Sequence, residues 1–156
     1  MSSAAQIEKW CESRVPGAWL GVFSSDTLPA KVPRNERWAL VANYDPKDKP
    51  GSHWIAMTGQ HKRAYYFSSY ALKPDEADPL LNDTTHFRDW LNKVAPKGWI
   101  RNKVPLQSYD KGSDACGEYS CWAAVNGGPL QNPEKWSWAS SDRKRNDRIV
   151  KALVKF

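Results

Sequence analysis

A chain of 156 residues, 40% of them hydrophobic, is long enough to fold around one core that buries roughly 70% of the unfolded surface, and it is too apolar to stay disordered. Its net charge of +6, from 23 basic and 17 acidic residues, favours polyanionic partners without specifying one. No apolar run approaches the roughly 18–20 residues needed to cross a bilayer, and the opening MSSAAQIEKWCES lacks the regions of a secretion signal, so a single soluble, monomeric domain over residues 1–156 with no membrane contact is expected.

Ala4 to Arg14 reads as a helix with Ile7, Trp10 and Cys11 on one face, ended by Pro16 and Gly17. An apolar stretch from Ala18 to Phe23, a connection through Pro29 and Pro33 and a strand from Trp38 to Tyr44 follow. DPKDKPG, residues 45–51, is a turn by composition. Strands at His53–Met57 and Ala64–Phe67, joined by GQHKR, form a hairpin. After an acidic loop at 73–79, Thr84 or Thr85 can cap a helix whose Phe87, Trp90, Leu91 and Val94 share a face.

Trp99 to Leu106 is a further strand candidate, and the polar loop QSYDKGSD leads to a helix opening near Ala115 and closed by NGGP at 126–129. The last helix starts near Ser141, with Ile149, Ala152, Leu153 and Phe156 on one stripe. Six basic and two acidic residues place +4 of charge in its sixteen positions. This order of elements predicts an α+β domain with a small mixed central sheet flanked by helices.

Three cysteines, Cys11, Cys116 and Cys121, are too few and too odd in number for a disulfide framework and fit a reducing compartment. With no Cys-x-x-Cys and only His53, His61 and His86 as imidazoles, no metal site is expected. Cys11 and Cys121 read as core thiols. Cys116 sits where the first turn of a helix should be, and the partial positive charge there, together with a nearby imidazole, is what a thiol needs to become a nucleophile. His53, just after a Pro-Gly turn at the mouth of an apolar strand, can supply that imidazole, while Gly117 permits close backbone approach and leaves an amide near a developing oxyanion.

GSHWIAM at 51–57, YYFSSY at 65–70, LQS at 106–108 and DACGEYSCWAA at 114–124 together resemble the adenovirus-protease family, which shares its catalytic arrangement with the peptidases that process ubiquitin-like proteins. The opening helix with WLGVFSSDTLP and the closing RKRNDRIVKALVKF extend the resemblance over most of the chain. It implies a papain-like active-site arrangement with Cys116 as nucleophile, His53 as general base and Gln107 as a side-chain donor to the oxyanion. Trp54 would pack beside the histidine, and Gly51 and Gly117 would support the site.

Where the family has an acid after the second strand, this chain has Ser68, which can orient an imidazole but cannot supply a charge. The backbone, a water, or a carboxylate or amide from elsewhere, such as Asn43 or Asp45, are the other candidates for that third position. The resemblance implies an endopeptidase acting on viral precursor proteins in the host nucleus or virion. It requires no cofactor by sequence, leaving open an activating peptide or DNA bound through the basic C-terminal helix. A peptidase for ubiquitin-like modifiers, a degenerate peptidase fold and a basic nucleic-acid-binding domain are the competing readings.

Overall fold

The computed structural model describes residues 2–15, 17–45, 47, 53–74, 86–110, 112–127 and 136–156. The chain runs α1 (Ala4–Glu12), β1 (Trp19–Ser24), β2 (Trp38–Asn43), β3 (Trp54–Gln60), β4 (Arg63–Phe67), α2 (His86–Val94), β5 (Trp99–Arg101), α3 (Cys116–Asn126) and α4 (Arg143–Leu153). The strands form one sheet in chain order, with parallel pairings at β1–β2 and β4–β5 and antiparallel ones between. This is the α+β, mixed-sheet architecture expected from the sequence.

Strands β2, β3 and β4 are buried on both faces, which is why they read as apolar runs rather than as alternating patterns. Ala39, Val41, Trp54, Ala56, Tyr65 and Phe67 point toward α1, α3 and α4. Leu40, Ala42, Ile55, Met57, Ala64 and Tyr66 point the other way, onto Phe87, Trp90 and Leu91 of α2. Helix α1 starts with a capping box in which Ser3 Oγ accepts from the Gln6 amide and Gln6 Oε1 accepts from the Ser3 amide. At the far end of α3, the Arg37 guanidinium donates to the carbonyls of Ala124 and Val125, at 3.1 and 2.9 Å, and so complements the negative end of the helix.

Two expectations are corrected. Strand β5 covers only Trp99–Arg101 and not Trp99–Leu106, because the Asn102 side chain takes over the pairing: its Oδ1 accepts from the Ser68 amide and its Nδ2 donates to the Ser68 carbonyl. Helix α4 turns Asn146, Val150 and Val154 inward, whereas Ile149 is half-buried and Ala152, Leu153 and Phe156 are exposed. The polar Asn146 takes a core position because its amide is satisfied there by Ser140 and by the Leu106 carbonyl. The turn at 45–51 apart from Asp45 and Lys47, most of the acidic loop at 73–79, the caps Thr84 and Thr85, and Gly128 and Pro129 lie outside the described residues.

Gly59 pairs with Trp38 across β2 and β3. A Cβ at Gly59 would lie 2.4 Å from Trp38 Cζ2 and 2.6 Å from the Arg63 carbonyl oxygen, contacts that real side chains do not make. Gly59→Ala is therefore expected to destabilise the fold by about 1–3 kcal/mol through overpacking, measured as a lower urea midpoint with an unchanged slope.

Candidate active site

The end of β4, the start of β3 and the start of α3 meet at one end of the inner strands of the sheet. His53 immediately precedes β3, and its carbonyl accepts from the Tyr44 amide at 2.7 Å, which continues the β2–β3 ladder by one residue. Cys116 is the first residue of α3 and only 4% exposed. The backbone N–H groups of Trp54, Gly117 and Cys116 lie close enough to its sulfur to favour the thiolate form. Two of these come from the unpaired first turn of the helix and one from the residue joined to His53.

The distal nitrogen of the imidazole is held by Ser68, with Nε2 3.2 Å from Oγ. Ser68 is wholly buried and locked by both backbone groups to Asn102. Neither Asn43 nor Asp45 takes that position: Asn43 Oδ1 accepts from the Asp45 amide. The face of the imidazole is covered by Tyr70, whose ring centroid lies 5.2 Å away at 27°.

Burial pushes the His53 imidazole down to about 4. It pushes the Cys116 thiol up, an effect that the three amides oppose and Glu118 reinforces. Both shifts favour a neutral thiol and a neutral imidazole at pH 7 over their charged forms. The Tyr70 phenol is raised by burial and then by the proximity of the Cys116 sulfur, which ties this ring to both members of the pair.

Gln107 is 1% exposed, not a solvated loop residue. Its Oε1 accepts from Ser69 Oγ at 2.6 Å, and its Nε2 donates to Ser113 Oγ at 3.0 Å. Ser113 Oγ in turn donates to Asp147 Oδ2 at 2.7 Å. Asp147 Oδ1 accepts from Tyr119 at 2.7 Å and from the Ser108 amide at 3.3 Å. A chain of hydrogen bonds thus fixes the loop that leads into Cys116, and burial together with Asp147 raises the Tyr119 phenol.

The Trp54 indole lies against Gly117, with Nε1 donating to the Ser2 carbonyl at 2.9 Å, so the ring stacked on His53 is Tyr70. At Gly117, a Cβ would stand 2.7 Å from Ser2 Oγ. The missing side chain makes room for Ser2, which donates to Glu118 at 2.7 Å. Gly51 lies outside the described residues.

Sequence reasoning missed Tyr70, Asn102, Ser113 and Asp147 as members of the site. Tyr70 stood within the quoted YYFSSY run, whereas Asp147 was hidden in a basic helix and meets partners 28 to 39 residues away in the chain.

Cys11 and Cys121 are buried core thiols, as expected. A hydrogen bond donated to Cys11 and burial raise the Cys121 thiol. On α4, Lys144 pairs with Asp110 at 2.9 Å and Lys151 pairs with Asp114. Arg143 and Arg145 donate to the carbonyls of Gln107 and Trp138, so four of the six cations of this segment have intramolecular partners. Among the described residues, no three His, Cys, Asp or Glu side chains are placed to hold a metal ion, and no helix is long and apolar enough to cross a membrane.

No family model matches the chain. A protein of Acanthamoeba polyphaga mimivirus named "Putative thiol protease R355" is 31% identical over 85 residues. That match covers 53% of this chain, and the chain spans only 27% of the length of this relative. Among solved structures, the ASFV pS273R protease superposes with a TM-score of 0.48 at 15% identity, covering 77% of this chain and 44% of that one.

Because burial keeps the thiol protonated, the rate of Cys116 alkylation by iodoacetamide is expected to climb through the alkaline range, without the acid-side plateau of a thiolate–imidazolium pair. Stopped-time mass mapping from pH 5 to 10 measures this. A plateau below pH 7 would mean that the pair is already ionised.

Proposed function

We propose that the chain is a cysteine peptidase domain that cleaves peptide bonds through an acyl-enzyme. The observation that carries this reading is the meeting of three parts at one end of the central strands. The Cys116 sulfur at the start of α3 lies near the Trp54 amide, Trp54 is joined to His53, and Ser68 Oγ sits 3.2 Å from the imidazole Nε2. The name of the mimiviral relative points the same way.

In the first step, His53 takes the thiol proton as Sγ attacks the scissile carbonyl carbon. The oxyanion is received at the start of α3 by the Cys116 amide. The imidazolium then protonates the leaving amine as the C–N bond breaks, leaving a thioester on Cys116. Water, deprotonated by His53, releases the acid product and restores the thiol. Gln107 joins as an oxyanion donor if its Nε2 exchanges the Ser113 hydroxyl for substrate.

The substrate class that best fits the resemblance and the viral relative is a viral precursor protein, processed by a monomeric enzyme in an infected cell or virion. A ubiquitin-like tail is the related alternative. With four of the α4 cations held internally, a DNA activator would meet chiefly Arg148 on that helix and Lys155 just past its end.

The deciding experiment is labelling with a vinyl-sulfone peptide probe ending in Gly-Gly, alongside Cys116→Ala and His53→Ala. Selective labelling of Cys116 that is lost with either substitution is the expected result. Equal slow labelling of all three cysteines would mean that the fold survives without its chemistry. On a cleavable peptide, Gln107→Ala is expected to lower kcat/KM by about 10²- to 10³-fold, and a loss under tenfold would reduce Gln107 to a brace of the loop.

A further inference from the structure

Beside His53 stands a column of rings that none of the roles above uses. Tyr70 stacks on the imidazole, and Tyr109 stacks on Tyr70 with centroids 5.1 Å apart and planes only 6° from parallel. The Arg143 guanidinium lies 4.0 Å from the Tyr109 centroid, with its Nε on the Gln107 carbonyl. Tyr109 is 68% exposed, so the column runs from the buried imidazole out to solvent.

The turn that carries Tyr70 is constrained. The Ala71 amide donates to the Ser68 carbonyl at 2.8 Å, and Ala71 sits at φ 58°, a left-handed conformation that costs a residue with a Cβ. The Arg101 guanidinium donates to the Ala71 carbonyl. One four-residue turn therefore places Ser68 on the imidazole nitrogen, Ser69 on Gln107 and Tyr70 on the imidazole face.

We infer that Tyr70, anchored by Tyr109 and Arg143, is a positioning residue that covers and steadies the His53 imidazole where the chain has no carboxylate to do so. The inference rests on the peptidase reading for its purpose and on the ring geometry for its content. When His53 accepts the Cys116 proton it becomes a cation, and a tyrosine face within about 6 Å attracts a cation through its ring quadrupole. The Ser68 hydroxyl contributes only a dipole. Arg143 lies on the outer ring, Tyr109, and is fixed there by the Gln107 carbonyl, so it acts by anchoring Tyr109. The other titratable groups around Tyr70 are Cys116, Tyr109 and Asp147.

The test is a double-mutant cycle on the rate of Cys116 alkylation by iodoacetamide, which needs no substrate recognition. Its members are Tyr70→Leu, Tyr70→Phe, His53→Ala and the Tyr70→Leu/His53→Ala pair, each followed from pH 5 to 10. Tyr70→Leu is expected to slow His53-assisted alkylation by about tenfold, Tyr70→Phe to restore it, and Tyr70→Leu to have no further effect once His53 is alanine. Additive losses, or an unchanged rate in Tyr70→Leu, would overturn the inference.

If Tyr70→Leu does not fold, Arg143→Gln and Tyr109→Ser loosen the column from outside and should give a smaller loss in the same direction. No loss in either overturns the inference. Coupled alkylation without labelling by the peptide probe would sink the peptidase reading alone. Probe labelling without coupling would sink this inference alone.

Discussion

The pairing of Asn102 with Ser68 is the constraint on which the site depends. A side-chain amide satisfies both backbone groups of Ser68 just past the end of β4, a place where a buried strand end would otherwise leave orphaned donors and acceptors. With Ser68 fixed, its hydroxyl lies at the distal nitrogen of His53, and the turn that follows delivers Ser69 to Gln107 and Tyr70 to the imidazole face. A single asparagine, just past the end of β5, therefore sets three contacts.

Cys116 is placed by a second set of forces, linked to the first through Ser69 and Gln107. Helix α3 packs against β3 through Cys116, Tyr119 and Ala123, Arg37 holds its far end, and Gly117 lets Ser2 and the Trp54 indole close over its first turn. The loop before it is tied through Gln107, Ser113 and Asp147 to α4. The sulfur is thus presented to three amides by elements whose main stabilisation is apolar burial, and small displacements of the helix start are resisted by the whole core.

Electrostatically the pair is unlike one built around a carboxylate. Burial acts on both partners in the direction of neutrality, and Ser68 brings no charge to reverse it. The groups that meet the imidazole nitrogen and its face are Ser68 and Tyr70, both supplied by the turn after β4.

Much of this was legible in the chain itself. Apolar runs bounded by Gly and Pro marked β2, β3 and β4, the i, i+3, i+4 and i+7 spacing of Phe87, Trp90, Leu91 and Val94 marked α2, and the Cys-Gly pair marked the start of α3. Local pattern suffices there because each element buries a face that its own residues define. Ser68 as the partner of His53 was legible too, by its position after the second strand.

Pattern failed where a distant group decides: the early end of β5, set by Asn102; the inward face of α4, set by the satisfaction of Asn146; and the roles of Tyr70 and Asp147, set by rings and hydroxyls remote in sequence. The sequence by itself determined the elements, the α+β class and the candidate Cys116–His53 pair. Only the tertiary structure decided which side chains satisfy the buried polar groups between those elements, because that choice depends on three-dimensional proximity and not on spacing along the chain.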